Sequence, residues 1–420
     1  MAKTATRKPR SQTSPPKAAS QPGSQPAAPP ITLDRKRAVA LVLELMAIPG
    51  ASGNEGAVAR FITEKLVAAG LSRESIRHDN AHKRALIAGE VGNLIVQMPG
   101  TMRGPRRLLM AHMDTVPICV GSKPKRSGNL VRSADPNTGL GGDDRAGVAV
   151  LLAAALEILE NKLPHPPLTF LWAIQEEVGL QGARCMQTGM LGKPKLAFNF
   201  DGGAAEKLTI GATGGYRLEI DIEGLAAHAG GAPERGISAI AIASLAIARL
   251  VRDGWHGLIQ KKDGQGTSNV GVIQGGAATN VVTDRVTLKA EARSHNPAFR
   301  KQIVKQIEAA FREACCEVTN TDGKHGKVRI EGRNDYEAFR LPDDDPSLLA
   351  AEQAVRSSGL EPIRAISNGG LDANWMTAHG IPTVTLGCGQ MNIHTTSECL
   401  DVAAFEHACQ IGLRLATGRE

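Results

Sequence analysis

The chain has 420 residues, of which 42% are hydrophobic and 3% aromatic, and a formal net charge of +7. The length allows two or three domains with a substantial core, and the shortage of rings argues against stacking platforms for single-stranded nucleic acid. Five of the seven net positive charges lie in residues 1–30, on Lys3, Arg7, Lys8, Arg10 and Lys17 with no acid among them, so the body is close to neutral and no nucleic-acid partner is expected for it.

Residues 1–32 are rich in Pro, Ser, Ala and Gln and read as a disordered basic tail, without the apolar stretch of a secretory signal. No apolar run reaches the roughly 18 residues a membrane span needs, so no membrane partner is expected. The seven cysteines form no CxxC pair, which fits a reducing, cytoplasmic setting better than a disulfide framework.

From Asp34 the spacing predicts a helix stopped by Pro49-Gly50. A second helix follows, with Ser52 and Glu55 as its S-x-x-E capping box. "NLIVQMPG", "RRLLMAHMD", "PLTFLWAIQ" and "PKLAFNFDGG" read as strands, and "RAGVAVLLAAALEILEN" as a strongly apolar helix. This alternation predicts an α/β domain with a mixed, mainly parallel sheet flanked by helices. The irregular basic stretch before Asp143, "ICVGSKPKRSGNLVRSADPNTG", reads as a surface loop.

Near residue 213 the pattern changes. Strand "GYRLEIDIEG", helix "GISAIAIASLAIARLVRD", strands "TSNVGVIQGG" and "VVTDRVTLKAEARS", helix "AFRKQIVKQIEAAFREACCEV" and strand "KVRIEGRN" give the order β-α-β-β-α-β. That is a ferredoxin-like α+β unit. The α/β style then returns, with helix "PSLLAAEQAVRSSG", strand "IPTVTLGCG" and a last helix around "FEHACQIGLRLATG". The expected scheme is a tail over 1–32, a catalytic domain in two parts over 33–212 and 333–420, and an inserted domain over 213–332.

Polar residues gather where the apolar strands end. His112 and Asp114 are two apart and share a strand face, so the imidazole can bind a metal while the carboxylate orients it; taken alone, His-x-Asp is an ordinary strand end. Asp143 and Asp144 follow a Gly-rich turn at a helix start, where a carboxylate is also favoured as a simple cap. Glu176 and Glu177 stand side by side after "TFLWAIQ", and like charges that close repel unless something positive sits between them. Asp201 ends "NFDGG" and His394 lies in "NIHTTSE". Together these imidazoles and carboxylates suit zinc and neighbouring divalent ions.

The ordered motifs "HMDTVP", "LGGDDRAGVA", "EEVGLQGA", "FDGG", "AAHAGGAPERGISAI", "GGAATNVV", "GGLDAN" and "IHTTSE" resemble those of the co-catalytic di-zinc metallopeptidases, the family of peptidase T, glutamate carboxypeptidase, acetylornithine deacetylase and aminoacylase. The resemblance covers roughly residues 35–418 and is nearest to the peptidase T-like aminopeptidases in "GGLDANWMTAHGIPTVTLGCGQMNIHTTSE". It implies two Zn2+ per subunit, with Co2+ or Mn2+ as substitutes. Asp143 would bridge them, His112 and Asp201 would complete one site, and Glu177 and His394 the other. Glu176 would be the general base, Asp114 the partner of His112, and Asp144 would follow Asp143 across a cis peptide. On the inserted unit it implies that His228 reaches the substrate carbonyl from the partner subunit of a homodimer, and that Asn280 and Arg293 bind substrate. Gly369 and Gly370 would allow close approach of a substrate backbone. The activity implied is removal of the N-terminal residue from short peptides. The alternative is a carboxypeptidase or N-acyl-amino-acid deacylase on the same metals. A non-catalytic binding protein is the reading from another class, and the complete ligand set with Glu176 argues against it.

Overall fold

Strands Arg107–His112, Leu168–Ala173 and Leu196–Phe200 are buried at every residue. Such strands show no polar alternation because helices cover both faces of their sheet. In the computed structural model, which describes residues 1–4 and 32–420, they form the centre of a nine-stranded mixed sheet. Leu168–Ala173, Arg107–His112, Leu196–Phe200 and Val384–Leu386 run parallel in that spatial order. Antiparallel strands extend it on both sides, through Leu94–Met98 and Ile76–His78 at one end and Lys207–Ala212 and Phe339–Arg340 at the other. Ile363–Ser367 pairs parallel with Lys207–Ala212. The tail expected over 1–32 falls almost wholly outside the described residues.

Helix Gly142–Asn161 is buried continuously from Gly142 to Ile158, as a helix apolar on all sides must be. It packs against Arg35–Ala47, Val402–Thr417 and the Arg107–His112 strand. Val402–Thr417 comes close enough that a Cβ on Gly412 would lie 2.7 Å from Val150.

The pattern reading missed several strands, among them Lys207–Ala212 and Ile363–Ser367 of the large sheet. The basic stretch before Asp143 is more ordered than a surface loop. Pro124–Ser127 and Leu130–Ser133 form a hairpin, and its second strand pairs with Cys399–Asp401, which pairs in turn with Gln390–Met391. This small sheet brackets the loop that carries His394.

The second large sheet is antiparallel throughout, in the order Gly257–Lys261, Gly264–Gly275, Arg285–Ser294, Gly214–Glu223, Lys327–Tyr336. It follows the β-α-β-β-α-β order with one additional hairpin strand, Gly257–Lys261. Helices Ala239–Arg252 and Pro297–Glu317 cover one face, where Leu218, Ile220, Ile222, Phe299, Ile303 and Phe311 form a separate core. The opposite face is charged and holds a recess of about 530 Å³ lined by residues including Arg217, Glu219, Lys289, Glu291, Glu331 and Arg333.

The chain passes between the two sheets twice, near Thr213 and near Glu337. Asn374 joins both crossings, donating from Nδ2 to Thr213 O at 3.0 Å and to Glu337 O at 2.7 Å. Among the described residues no helix is long and apolar enough to cross a membrane.

Candidate active site

Three neighbouring parallel strands end side by side, and each delivers ligand-type groups at its C-terminal end. His112 is the last residue of one strand, Glu176 and Glu177 lie just beyond Ala173, and Asp201 follows Phe200 directly. This edge of a parallel sheet is where sites form. Asp143 comes from the turn that opens the long central helix, and His394 from the loop between Gln390–Met391 and Cys399–Asp401.

Asp143 stands between the two imidazoles and uses a different oxygen for each. Its Oδ1 lies 3.1 Å from His112 Nε2, and its Oδ2 lies 3.2 Å from His394 Nε2. His394 Nε2 is also 3.0 Å from Glu177 Oε1. Ligand atoms of His112, Asp143 and Asp201 lie within 4.8 Å of one another, as do those of Asp143, Glu177 and His394, and those of His112, Glu176 and Glu177. The five residues read from the sequence as metal ligands are therefore brought together, with Glu176 beside them.

The electrostatics of the cluster call for cations. Burial pushes the Glu176 carboxyl well up and raises Glu177. Burial and the charge of Asp143 push Asp201 up to about 7. Burial alone would raise Asp143, but hydrogen bonds to His112 and His394 hold it below the usual carboxylate range. His394 is raised to about 10 by its bonds to Asp143 and Glu177. Asp372 is 1% exposed, neither of its oxygens has a hydrogen-bond partner, and burial pushes it up to about 7. A buried carboxylate is costly unless it is paired. Two imidazoles cannot balance so many acids, and divalent ions would neutralise them. The donor set of two His and three carboxylates, one of them shared, fits two divalent ions.

A buried set of acceptors holds these groups in place. Asp114 accepts hydrogen bonds from the backbone N–H of Glu176 at 2.9 Å, the N–H of Glu177 at 3.2 Å and Ser52 Oγ at 2.7 Å. Its Oδ1 is 3.4 Å from His112 Nδ1. His112 Nδ1 is nearer still to the Asp114 backbone O, at 3.1 Å, so this one residue orients the imidazole and its carboxylate fixes the backbone of both glutamates. Asp144 follows a cis Asp143–Asp144 peptide, as the resemblance implied. It accepts from His112 N at 3.1 Å, Gly147 N at 3.0 Å and Gln390 Nε2 at 2.7 Å.

Ser52 and Glu55 do not form the expected capping box. Glu55 makes no side-chain cap bond to the helix that follows. Its Oε1 accepts from Gly53 N and Gln175 N, while Ser52 donates to Asp114. The buried acid of the site and the turn before Glu176 offer these side chains tertiary partners, which replace the local ones.

Outside the strands of the second sheet, His228 and Asn280 are adjacent: Ala229 N donates to Asn280 O at 2.9 Å, and His228 forms an isolated bridge to Val281. His228 is exposed, and its Nδ1 accepts from Gly230 N and Gly231 N. Arg293 makes two 3.0 Å bonds to Glu291. Gly370 has its own packing reason to be glycine, because a Cβ there would lie 2.5 Å from the Tyr336 ring, whereas Gly369 meets nothing nearer than Ser367 Oγ at 3.7 Å.

Pattern reading gave no role to Glu398, Gln390 or Asp372. The quoted motifs "IHTTSE" and "GGLDAN" contained two of them, and a carboxylate in each was the available signal.

Residues 108–418 match Peptidase family M20/M25/M40. The chain is 32% identical over 372 residues to the uncharacterized protein YqjE of Bacillus subtilis, covering 88% of this chain and 95% of that one. Its structure resembles a tripeptidase of Staphylococcus aureus, with 31% identity, a TM-score of 0.82 and coverage of 92% of this chain and 99% of that one. It also resembles aminopeptidase PepT of Bacillus cereus, with 31% identity, a TM-score of 0.78 and coverage of 92% and 98%.

Proposed function

The chain belongs to peptidase family M20/M25/M40, and from that premise we propose that it is an aminopeptidase that removes the N-terminal residue from short peptides, tripeptides among them. It is a metal-dependent hydrolase of peptide bonds. The observation that carries the site assignment is the Asp143 carboxylate, aimed through separate oxygens at His112 and His394 with Glu176 alongside. The N-terminal direction is supported by the likeness to a tripeptidase and to PepT.

In this reading His112, Asp143 and Asp201 would hold one zinc ion, and Asp143, Glu177 and His394 would hold the second. Bound divalent ions supply Lewis acidity, polarising the scissile carbonyl and making water a better nucleophile near neutral pH. Glu176 takes a proton from the attacking water and passes it to the leaving nitrogen. Its carboxyl lies 4.0 Å from His112 Nε2, and Asp114 fixes its backbone, so the base is held beside the ligands without belonging to them. Arg293 offers a planar fork suited to a peptide carboxylate, and His228 and Asn280 reach the substrate from the inserted unit over 213–332. Exposed Leu258, Ile273 and Val251 on that unit support a homodimer through it. If His228 serves the partner's site, mixing His228→Ala and Glu176→Gln chains restores part of the activity; proven exchange of subunits without recovery removes that arrangement.

One tripeptide in free, N-acetylated and C-amidated forms tests the activity, with products read by mass spectrometry and a chelated control. The reading predicts loss of the N-terminal residue, blocked by acetylation and by chelation. Release of the C-terminal residue or of the acetyl group contradicts it.

A further inference from the structure

Glu398 is 1% exposed and sits at the end of the loop that presents His394. Its carboxylate does not face the metal ligands' side chains. It lies in the concave backbone of the turn "GLGGD", residues 139–143. Oε2 accepts from Leu140 N at 2.8 Å and Gly141 N at 2.7 Å, and Oε1 accepts from Asp143 N at 3.0 Å. The Cys119 thiol donates to the same Oε2 at 3.4 Å. Successive N–H groups converging on one anion form a nest of the kind that elsewhere binds phosphate; here the anion belongs to the chain.

The glycines of the turn follow from this contact. Gly141 has φ of 77°, a left-handed conformation that glycine takes freely. A Cβ on Gly139 would lie 2.8 Å from Cys119 Sγ and 3.2 Å from Glu398 Oε2, and one on Gly142 would lie 3.3 Å from Glu398 Oε1. The turn is thus shaped to close around a carboxylate.

The loop that carries His394 needs such an anchor. His394 has a side chain 46% exposed and φ of 63°, and residues 391–397 are all exposed. Within the loop, Thr395 bonds to Asn392 O and Ser397. Glu398, four residues after His394, is the point where this loop grips the turn that carries Asp143. His394 and Asp143 belong to the same half of the centre.

We propose that Glu398 is a positioning residue that couples the His394 loop to Asp143, so that the Asp143–Glu177–His394 half of the centre keeps its ion only while the Glu398 carboxylate fills the 139–143 nest. The His112–Asp143–Asp201 half depends on it less, because His112 ends one sheet strand and Asp201 directly follows another, and Glu398 touches neither strand. This inference rests on the two-ion reading above.

The test is zinc binding by the full chain, titrated against a competing chelator, for wild type, Glu398→Gln and Glu398→Asp. Glutamine keeps the size but sets an NH2 group against backbone N–H donors. The proposal predicts that Glu398→Gln retains one ion at wild-type affinity and loses about 10- to 100-fold in affinity for the other, the range seen when support behind a ligand is removed. Glu398→Asp, which keeps the charge, recovers part of that loss. The thermal midpoint of the metal-free variants, read alongside, separates this from general unfolding. Equal weakening of both ions, or wild-type binding of both, overturns the proposal. A wild type that binds fewer than two ions defeats the two-ion reading itself.

If Glu398→Gln does not fold, hydrogen exchange on wild type decides. The amides of Leu140, Gly141 and Asp143 are predicted to lose protection together with residues 392–398 when bound zinc is stripped. Opening of 392–398 with those three amides still protected overturns the coupling.

Discussion

Strands Arg107–His112, Leu168–Ala173 and Leu196–Phe200 are closed in on both faces, and Asp114, just past the end of the first, is held by backbone and side-chain bonds from several elements at once. Strands Gly214–Glu223 and Arg285–Ser294 of the second sheet have one closed face and one open face, and Arg217, Lys289 and Arg293 stand on the open one with neighbouring acids for company. In the first region each buried carboxylate demands an explanation, because an unpaired one is costly. In the second, a charge on an open face is ordinary, and its function is not marked by burial. In the proposed reading the central sheet would fix the chemistry, and the second sheet would contribute contacts that are adjustable.

That contrast predicts two kinds of mutant, separable by metal content and by the division of effect between kcat and KM. Glu176→Gln has the largest expected effect, a fall of about 10²- to 10⁴-fold in kcat, the usual contribution of a general base, with metal content unchanged. A variant with near-normal kcat removes Glu176 from that role. Asp114→Asn comes next. It sets an amide against the N–H groups of Glu176 and Glu177 and should lower metal affinity or turnover by about 10- to 100-fold, measured by chelator competition and steady-state rates. Wild-type values for both would mean that the Asp114 clamp is only structural.

On the second sheet, Arg293→Ala should raise KM about tenfold, roughly 1.4 kcal/mol, leaving kcat and bound metal as in wild type. A fall in metal content instead would break the comparison, since it would place Arg293 in the same network as the ligands. Arg329→Ala, on an exposed side chain paired with Asp221 and Glu331, has the smallest expected effect: KM, kcat and melting temperature all unchanged, because exposed ion pairs contribute little. A KM shift as large as that of Arg293→Ala would show that the whole open face engages substrate.

The same contrast explains what was legible in the sequence. His112, Asp143, Glu176, Glu177, Asp201 and His394 stood out because each is a ligand-type residue beside an apolar run or a glycine turn. The β-α-β-β-α-β order was legible from alternation, as in Arg285–Ser294, where every second residue is buried. Ser52 and Glu55 were misread because a local rule, the capping box, described their spacing well while tertiary partners 62 and 120 residues away claimed them. The Pro124–Ser133 hairpin was missed because its charged strands pair at the surface and show little apolar pattern. Glu398 was hidden for a different reason: its partners are backbone N–H groups, and a nest built from main chain leaves only glycines as its trace.

The most direct test of the account is the number of ions bound per chain in wild type and in Asp143→Ala, by elemental analysis after dialysis at fixed free zinc. The shared carboxylate predicts two ions in wild type and loss of tight binding at both positions when that one side chain is removed, with the metal-free protein still folded. Two ions retained by Asp143→Ala at wild-type affinity would contradict a bridged centre, and with it the assignment of His112 and His394 to a common site.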